Sequence, residues 1–143
     1  MKKIFCSLIL ILIFSSAAIA SVKAFGNFRA EVPEGWEGEL QSSTLVLKHK
    51  TKKASIAIAF NQMGGADLTD IVERLYIQMD GRDLEQDEDG DYNFVFVNAS
   101  GVDSIALITG NEGYYLVISM SGFEDEDLTS DFEKVLDSID WEE

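Results

Sequence analysis

Residues 85–91 carry five carboxylates in seven positions, a density of oxygen ligands that suits a divalent cation. If Gly90 held the glycine position of a calcium-binding loop, five residues with oxygen-bearing side chains would fall on ligand positions: Glu85, Asp87, Asp89, Asp91 and Asn93. The closing position, which needs a bidentate glutamate, would fall on Phe96. Because Phe96 has no ligand oxygen, the segment does not match this class of calcium loop.

A turn between two strands is the better interpretation of this acidic segment. Asp89 and Gly90 are a pair typical of a type I′ hairpin turn, in which both central residues take positive φ. The residues that follow alternate as in a strand, whereas a calcium loop of this class is followed by a helix. A weak cation site formed by Asp87, Asp89 and Asp91 is the alternative. We expect no metal or other cofactor to be needed for folding.

The second charged segment is basic and spans residues 48–53. It holds four of the nine Lys and Arg residues that follow residue 20. One interpretation is a solvated hairpin end, in which lysines discourage pairing between sheet edges. The other is a binding surface for an anion or an acidic partner, formed by five side chains: Lys48, His49, Lys50, Lys52 and Lys53.

Two further features could take part in chemistry or binding. His49 is the only histidine, and no serine lies in a Gly-x-Ser-x-Gly motif, so a serine hydrolase has little support. One histidine and one cysteine, Cys6, are too few ligands for a typical zinc site. Trp36 can form an exposed ligand platform or pack over a sheet edge, and the large area that an aromatic ring buries favours packing.

The first 20 residues have the parts of a secretory signal. Lys2 and Lys3 supply the positive start, residues 4–14 form an apolar run too short to span a membrane, and residues 18–20 form a small-x-small cleavage site. Cys6 lies inside this segment, so it does not match a lipid-attachment cysteine. We therefore expect residues 1–20 to be a signal peptide and residues 21–143 to be a single domain.

Charge and composition limit the classes of partner. Without the leader, 9 cationic residues face 26 acidic ones, a net charge of −17 (9 − 26) against −15 for the whole chain. Such an acidic chain disfavours nucleic acid and anionic membranes as partners. The mature chain would have no cysteine, so an apolar core must stabilise it, and 123 residues (143 − 20) suit one domain.

Apolar periodicity predicts both strands and helices. Alternation predicts strands over residues 28–32, 44–48, 55–60, 92–97, 104–108 and 114–120. Apolar residues at spacings of three and four predict two helices. The first follows Asp67, which is placed as N-cap, and ends before Gly81. The second runs from Leu128 to Ile139 and follows acidic residues that suit a helix N-terminus.

Several of these strands are apolar on both faces, as where Val95 and Val97 alternate with Phe94 and Phe96. An antiparallel sheet with one wet face would alternate more cleanly, so both faces are expected to be covered. The expected fold class is α+β, with an antiparallel sheet of about six strands and helices packed on its faces as an α/β/α sandwich.

The order of elements resembles a known fold. A strand ending in VPEGW (residues 32–36), a strand hairpin, a helix, a meander containing DGDYNF (residues 89–94) and a closing helix are similar to the PsbP-like proteins. Small exported bacterial proteins of the DcrB-like group and a Ran-binding nuclear import factor share this fold. The resemblance covers nearly all of residues 28–141. It implies an antiparallel sheet between helices and a role in binding or assembly rather than catalysis.

The function expected from the sequence is an exported, non-enzymatic module that contacts another protein or a small ligand in the periplasm or outside a bacterial cell. No nucleic acid partner is expected, and no stable membrane anchor after cleavage. The alternatives are an enzyme with an unrecognised site and an acidic protein that binds divalent cations.

Cleavage after Ala20 is directly testable. The exported protein should have the mass of residues 21–143 in intact mass spectrometry, because Ala18 and Ala20 are the small residues that a signal peptidase site requires. Replacing both alanines by phenylalanine should leave the leader attached. A mature parent protein that retains residues 1–20 would contradict the prediction.

Overall fold

The computed structural model describes residues 22–26 and 28–141. The expected signal peptide, residues 1–20, lies outside the described residues. Within the described part of the chain, no helix is long and apolar enough to cross a membrane.

The described chain forms ten strands, two α-helices and one short 3-10 helix. The strands are β1 (Val22–Phe25), β2 (Phe28–Glu31), β3 (Trp36–Gln41), β4 (Thr44–His49), β5 (Ser55–Gln62), β6 (Arg82–Gln86), β7 (Tyr92–Val97), β8 (Asp103–Asn111), β9 (Tyr114–Ser121) and β10 (Asp140–Trp141). Helix α1 (Leu68–Gln78) lies between β5 and β6, and the 3-10 turn Glu126–Leu128 leads into α2 (Thr129–Ser138).

The main sheet has seven antiparallel strands in the order β3-β4-β5-β9-β8-β7-β6, and β1, β2 and β10 form a small sheet with β2 in the middle. This architecture confirms the predicted α+β class with helices on the faces of an antiparallel sheet. The main sheet has seven strands where about six were predicted; the predicted strand over residues 28–32 belongs to the small sheet, and β3 and β6 were both missed. Strand β6 was not predicted, because every residue of Arg82–Gln86 is exposed and the segment has no apolar alternation.

One face of the main sheet packs against α2 and the small sheet. Leu45, Leu47, Ile56 and Ile58 are fully buried there, at the centre of the larger core. Eleven further buried residues belong to this core: Phe28, Ala30, Val32, Trp36, Ala54, Leu116, Ile118, Met120, Leu128, Phe132 and Val135. The three-and-four spacing of Leu128, Phe132 and Val135 places all three on one side of the helical segment, as the sequence predicted.

The other face packs against α1 through a smaller core. Phe94, Ala106 and Ile108 from strands β7 and β8 are fully buried, and Val72 of α1 is packed with them. Both faces are therefore covered by helices, as the two-faced strands required. Edge strand β3 and its neighbour β4 contribute no residue to this smaller core, because α1 packs over the β7, β8 and β9 part of the sheet.

The ends of α1 differ in detail from the sequence prediction. Asp67 is the N-cap residue, but its side chain makes no capping hydrogen bond. At the C-terminal end Asp80, not Gly81, takes the left-handed conformation, with φ of 52°. Gly81 is needed for space instead, because a Cβ atom there would lie 2.5 Å from Tyr76 and 2.8 Å from Phe94.

The acidic segment is a hairpin turn between β6 and β7, as predicted, but the type I′ assignment is wrong. Gly90 has positive φ, whereas Asp89 does not. The Gly90 N–H donates to the Asp87 carbonyl, and the Asp87 N–H donates to the Asp91 carbonyl. The loop is therefore a three-residue type in which a left-handed glycine follows a tight turn.

Core burial gives a stability prediction. Ile58 is fully buried on the α2 face, so Ile58→Ala should lower the free energy of unfolding by about 2–5 kcal/mol. Leu84→Ala on edge strand β6, where Leu84 is 38% exposed, should change it by less than about 0.5 kcal/mol. Urea unfolding of both variants measures the difference, and equal midpoints would contradict the core described above.

Candidate functional site

The basic segment comprises the last two residues of β4 and the turn that leads to β5, and residues 48–53 together are called the basic turn below. The His49 ring stabilises this turn, because its Nδ1 atom accepts backbone N–H groups from Thr51 (3.1 Å) and Lys52 (3.0 Å). Both bonds require a lone pair on Nδ1, so the proton of the neutral ring lies on Nε2. The Lys50 N–H donates to the Gly35 carbonyl at 2.8 Å and fixes the turn to the β2–β3 connection.

Trp36 is buried, with 3% of its surface exposed. Its ring contacts His49 and Phe132 edge-on at centroid distances of 5.3 and 5.6 Å. The indole Nε1 donates to Asp131 Oδ2 at 2.9 Å. The packing alternative is therefore correct, and Trp36 does not form an exposed ligand platform. Through its contact with the His49 ring, Trp36 connects the basic turn to the larger core.

The basic turn is also held by an ion pair between Lys52 and the loop before α2. Lys52 Nζ lies 3.1 Å from Asp125 Oδ2 and 3.6 Å from Asp127 Oδ2. The hydrogen bond from Lys52 lowers the pKa of the Asp125 carboxyl, and the Asp127 backbone N–H lowers it further. The same hydrogen bond to Asp125 raises the pKa of Lys52. Lys52 is thus engaged within the protein.

The remaining lysines of the turn are exposed and available. Lys48, Lys50 and Lys53 are all solvent-exposed. The ion pairs found among the described residues involve Lys52 and Arg82, and none of them involves these three lysines. Three cationic groups therefore surround a turn whose backbone is held at several points.

A cleft of about 330 Å³ lies beside the basic turn, where the β4–β5 and β7–β8 turns meet. Lys48, Lys52 and Lys53 line it from the basic turn. Asn98 and Ser100 line it from the β7–β8 turn, and Ser55 and Ser121 from β5 and β9. No Asp or Glu of residues 22–26 or 28–141 is among the residues that line the cleft.

Sheet register explains why hydroxyl groups collect at this place. Lys48 pairs with Ser55, Ser55 with Ser121, and Ser121 with Ser104, so the four side chains form one row across the sheet. Ser55 Oγ and Ser121 Oγ lie 2.7 Å apart, and Ser104 Oγ donates to the Val102 carbonyl. The sequence prediction found the lysines but missed the serines, because only the strand register brings Ser121 beside Ser55.

The acidic turn is on a different part of the molecule, at the β6 edge of the sheet. Asp87 Oδ1 accepts the backbone N–H groups of Asp89 and Asp91, both at 2.9 Å, so this carboxylate already stabilises the turn. The described residues contain no group of three or more His, Cys, Asp or Glu side chains placed to hold a metal ion. A weak cation site at Asp87, Asp89 and Asp91 stays a prediction.

The fold is similar to the solution structure of cyanobacterial PsbP (CyanoP) from Synechocystis sp. PCC 6803. The TM-score is 0.59 and the sequence identity 17%, over 86% of this chain and 94% of that one. A protein from Bacteroides thetaiotaomicron matches with a TM-score of 0.47 and 14% identity, over 82% of this chain and 46% of that one. No family model matches the chain, and no match was found among the curated proteins.

These comparisons establish the fold. The likeness to cyanobacterial PsbP over nearly the whole of both chains shows that this chain has a PsbP-like fold, which confirms the resemblance found in the sequence. At 17% identity the likeness concerns the fold alone, and it assigns no role to a residue of this chain.

The Lys52–Asp125 pair gives a prediction about pH. Because the pKa of Asp125 is lowered in the folded state, the pair stabilises the protein above the unfolded-state pKa, and this contribution is lost as pH falls through the folded-state value. The raised pKa of Lys52 gives a contribution that is present below its unfolded-state pKa and lost as pH rises through the folded-state value.

We therefore expect Lys52→Met to raise the carboxyl pKa of Asp125 toward its ordinary value in an NMR titration, because the hydrogen bond that lowers it is removed. The stability difference from the parent should be full at neutral pH and should fade in acid. Lys134→Met, an exposed lysine on α2, is the control and should leave the Asp125 titration unchanged. Identical Asp125 curves in the parent and Lys52→Met would contradict the assignment.

Proposed function

We propose that the protein is a non-enzymatic binding module that uses the exposed lysines of the basic turn to contact an acidic surface on a partner protein. The observation that carries the proposal is the solvent exposure of three lysines that form no ion pair within the described residues. Lys48, Lys50 and Lys53 are exposed and take no part in the ion pairs of residues 22–26 and 28–141. They stand on a turn that is anchored by Trp36, His49 and Lys52.

The anchoring supports a role in binding. A turn that is already held in one conformation loses less conformational entropy when it binds than a mobile one does. The anchors are independent of the exposed lysines: the Trp36 and His49 rings pack together, and Lys52 pairs with Asp125. The side chains of Lys48, Lys50 and Lys53 are therefore presented by a rigid turn, although none of these side chains is needed to hold it.

The fold is consistent with this role. PsbP-like proteins are mostly binding or assembly proteins. The fold similarity to cyanobacterial PsbP supports the same expectation for this chain. The proposal includes export: residues 1–20 are the leader, and residues 21–143 are the domain that acts in the periplasm or outside the cell.

The enzyme alternative gains nothing from the arrangement at the basic turn. His49 pairs with Trp36 across β3 and β4, whereas Ser55 pairs with Lys48, the neighbour of His49. Successive residues of a strand point to opposite faces, so the His49 ring and the Ser55 hydroxyl are on different faces of the sheet. His49 Nδ1 is also engaged with the turn backbone. Divalent-cation binding at the acidic turn remains the other alternative.

Salt dependence should reveal a local basic surface on an acidic protein. The whole chain has a net charge of −15, which repels an acidic partner at long range. At an ionic strength near 0.1 M, charges beyond about 10 Å are largely screened, so the basic turn dominates the interaction. At about 0.01 M the screening length grows to about 30 Å, and the rest of the acidic protein then opposes binding.

We expect a short fluorescent poly-glutamate peptide to bind the mature protein, with an affinity that is highest at intermediate ionic strength and falls at both lower and higher salt. The triple variant Lys48→Ser, Lys50→Ser, Lys53→Ser should lose this binding, because it removes the exposed cations and keeps Lys52 in place. Fluorescence anisotropy measures both effects. The melting temperature should change little, since exposed substitutions usually shift stability by less than about 0.5 kcal/mol.

A matched control separates the basic turn from general charge. The double variant Lys23→Ser, Lys134→Ser removes exposed lysines from β1 and α2. It is compared with Lys50→Ser, Lys53→Ser, which has the same change in net charge. The turn variant should bind the peptide clearly more weakly than the control. Equal affinities in the two double variants would reject the proposal.

A further inference from the structure

The cleft beside the basic turn is chemically distinct from the rest of the surface. The chain has 26 Asp and Glu residues against 11 Lys and Arg, yet the cleft is lined by three lysines and, in the described part of the chain, by no carboxylate. Its other polar lining consists of His49 and of hydroxyl and amide groups from four residues: Ser55, Ser100, Ser121 and Asn98. Groups of this kind donate hydrogen bonds to an anion.

The hydrogen bonds already present leave donors free to face a ligand. In the Ser55–Ser121 pair one hydroxyl donates to the other at 2.7 Å, so the proton of the accepting hydroxyl remains available. Asn98 Oδ1 accepts the N–H groups of Ser100 (2.9 Å) and Val102 (3.0 Å). This identifies the amide oxygen, and the Asn98 NH₂ group is left to donate elsewhere.

The Ser55–Ser121 hydroxyl pair forms a partly buried section of the cleft lining. Ser121 is 7% exposed and Ser55 is half-buried, so both differ from hydroxyls on an open surface. Lys48 stands next to Ser55 in the same cross-strand row. A ligand that reached the serines would therefore lie beside at least one cation and partly out of water, where charge-assisted hydrogen bonds are strong.

We propose that this cleft is a binding site for a small multivalent oxyanion, such as a phosphate monoester or a di- or tricarboxylate. The cavity of about 330 Å³ lies at the lower end of the size range of small-molecule sites. Oxyanions of this class are rich in hydrogen-bond acceptors, and they match a lining composed of lysine, hydroxyl and amide donors. The site rests on the proposed function because both use Lys48 and Lys53, but it adds the serine and asparagine side chains of the cleft, which a contact with the turn alone does not need.

The test is a titration of the ¹⁵N-labelled mature protein with inorganic phosphate and, separately, with citrate. Saturable NMR shifts are expected at the backbone amides of Lys53, Ser55, Ser100 and Ser121. Chloride at matched ionic strength is the control for screening, and neutral glycerol for unspecific filling of the cavity. Stronger binding of citrate or of phosphate identifies the carboxylate or the phosphate source of the shared chemistry.

Two variants separate the site from the surface proposed above. Ser55→Ala with Ser121→Ala should weaken binding of the preferred oxyanion about tenfold or more, since each hydrogen bond to a charged group contributes strongly. It should leave the affinity for poly-glutamate nearly unchanged. Lys50→Gln, in the same turn but outside the cleft lining, should change oxyanion affinity by less than about twofold, as expected for a screened surface charge.

Each outcome decides between the proposals. Absence of saturable shifts in the parent protein overturns the oxyanion site, even if poly-glutamate still binds. Equal losses in the double serine variant and in Lys50→Gln also overturn it, because general electrostatics would then explain the binding. If the oxyanion binds in the cleft and poly-glutamate does not bind the turn, the site stands and the partner contact fails. Thermal unfolding of the serine variant confirms that the comparison is made between folded proteins.

Discussion

Strands β5, β9 and β8 lie at the centre of the main sheet, and a centrally placed strand such as β9 carries large apolar side chains on both faces. In β9, Leu116 and Ile118 belong to the core under α2, while Tyr115 and Val117 pack with the core under α1. Neither face can be left in water, so the sheet is stable only when both helices are in place. The single cysteine, Cys6, leaves the chain without an internal disulfide to supplement this burial. The two-sided core is therefore the constraint on which the other features depend.

That constraint leaves the ends of the strands as the place for variation and binding. Strand order brings the β4–β5 turn and the β7–β8 turn to the same end of the sheet, where they border one cleft. The basic turn is connected to the larger core through two aromatic contacts, from His49 to Trp36 and from Trp36 to Phe132. This packing links the turn to the core, and it acts together with the hydrogen bonds of the His49 ring and the Lys52–Asp125 ion pair.

Much of the fold could be predicted from the sequence because burial imposes regular spacing. Strands β2, β4, β5, β7, β8 and β9 and both helices agree with their apolar periods, since each places at least one face in a core. The peripheral strands β1, β3, β6 and β10 were not predicted. In β3 the sequence WEGELQ alternates only weakly, because Gly38 separates its two large apolar residues, Trp36 and Leu40, and Trp36 alone is buried. Edge strands gain their structure from neighbours, which a local pattern does not contain.

The candidate site could likewise be predicted only in part, namely where it depends on residues close together in the sequence. The lysines were visible in the sequence because all four lie within residues 48–53. The role of Lys52 as an anchor was not visible, because its partner Asp125 is 73 residues away. The Ser55–Ser121 hydroxyl pair was missed for a similar reason, since the two serines are 66 residues apart and meet only through the β5–β9 register. Properties that depend on long-range pairing follow from the fold and not from local composition.

The distribution of charge bears on which anionic partners the protein can accept. A long polyanion, such as nucleic acid or an anionic membrane, would extend well beyond the basic turn and meet the acidic remainder of a chain with net charge −15. A compact anion can contact the basic turn and its cleft alone, and at physiological ionic strength the remaining charges are largely screened beyond about 8 Å. On the proposed function, we therefore expect the acidic surface to disfavour long polyanions and to leave the basic turn and its cleft to anionic groups that make a local contact.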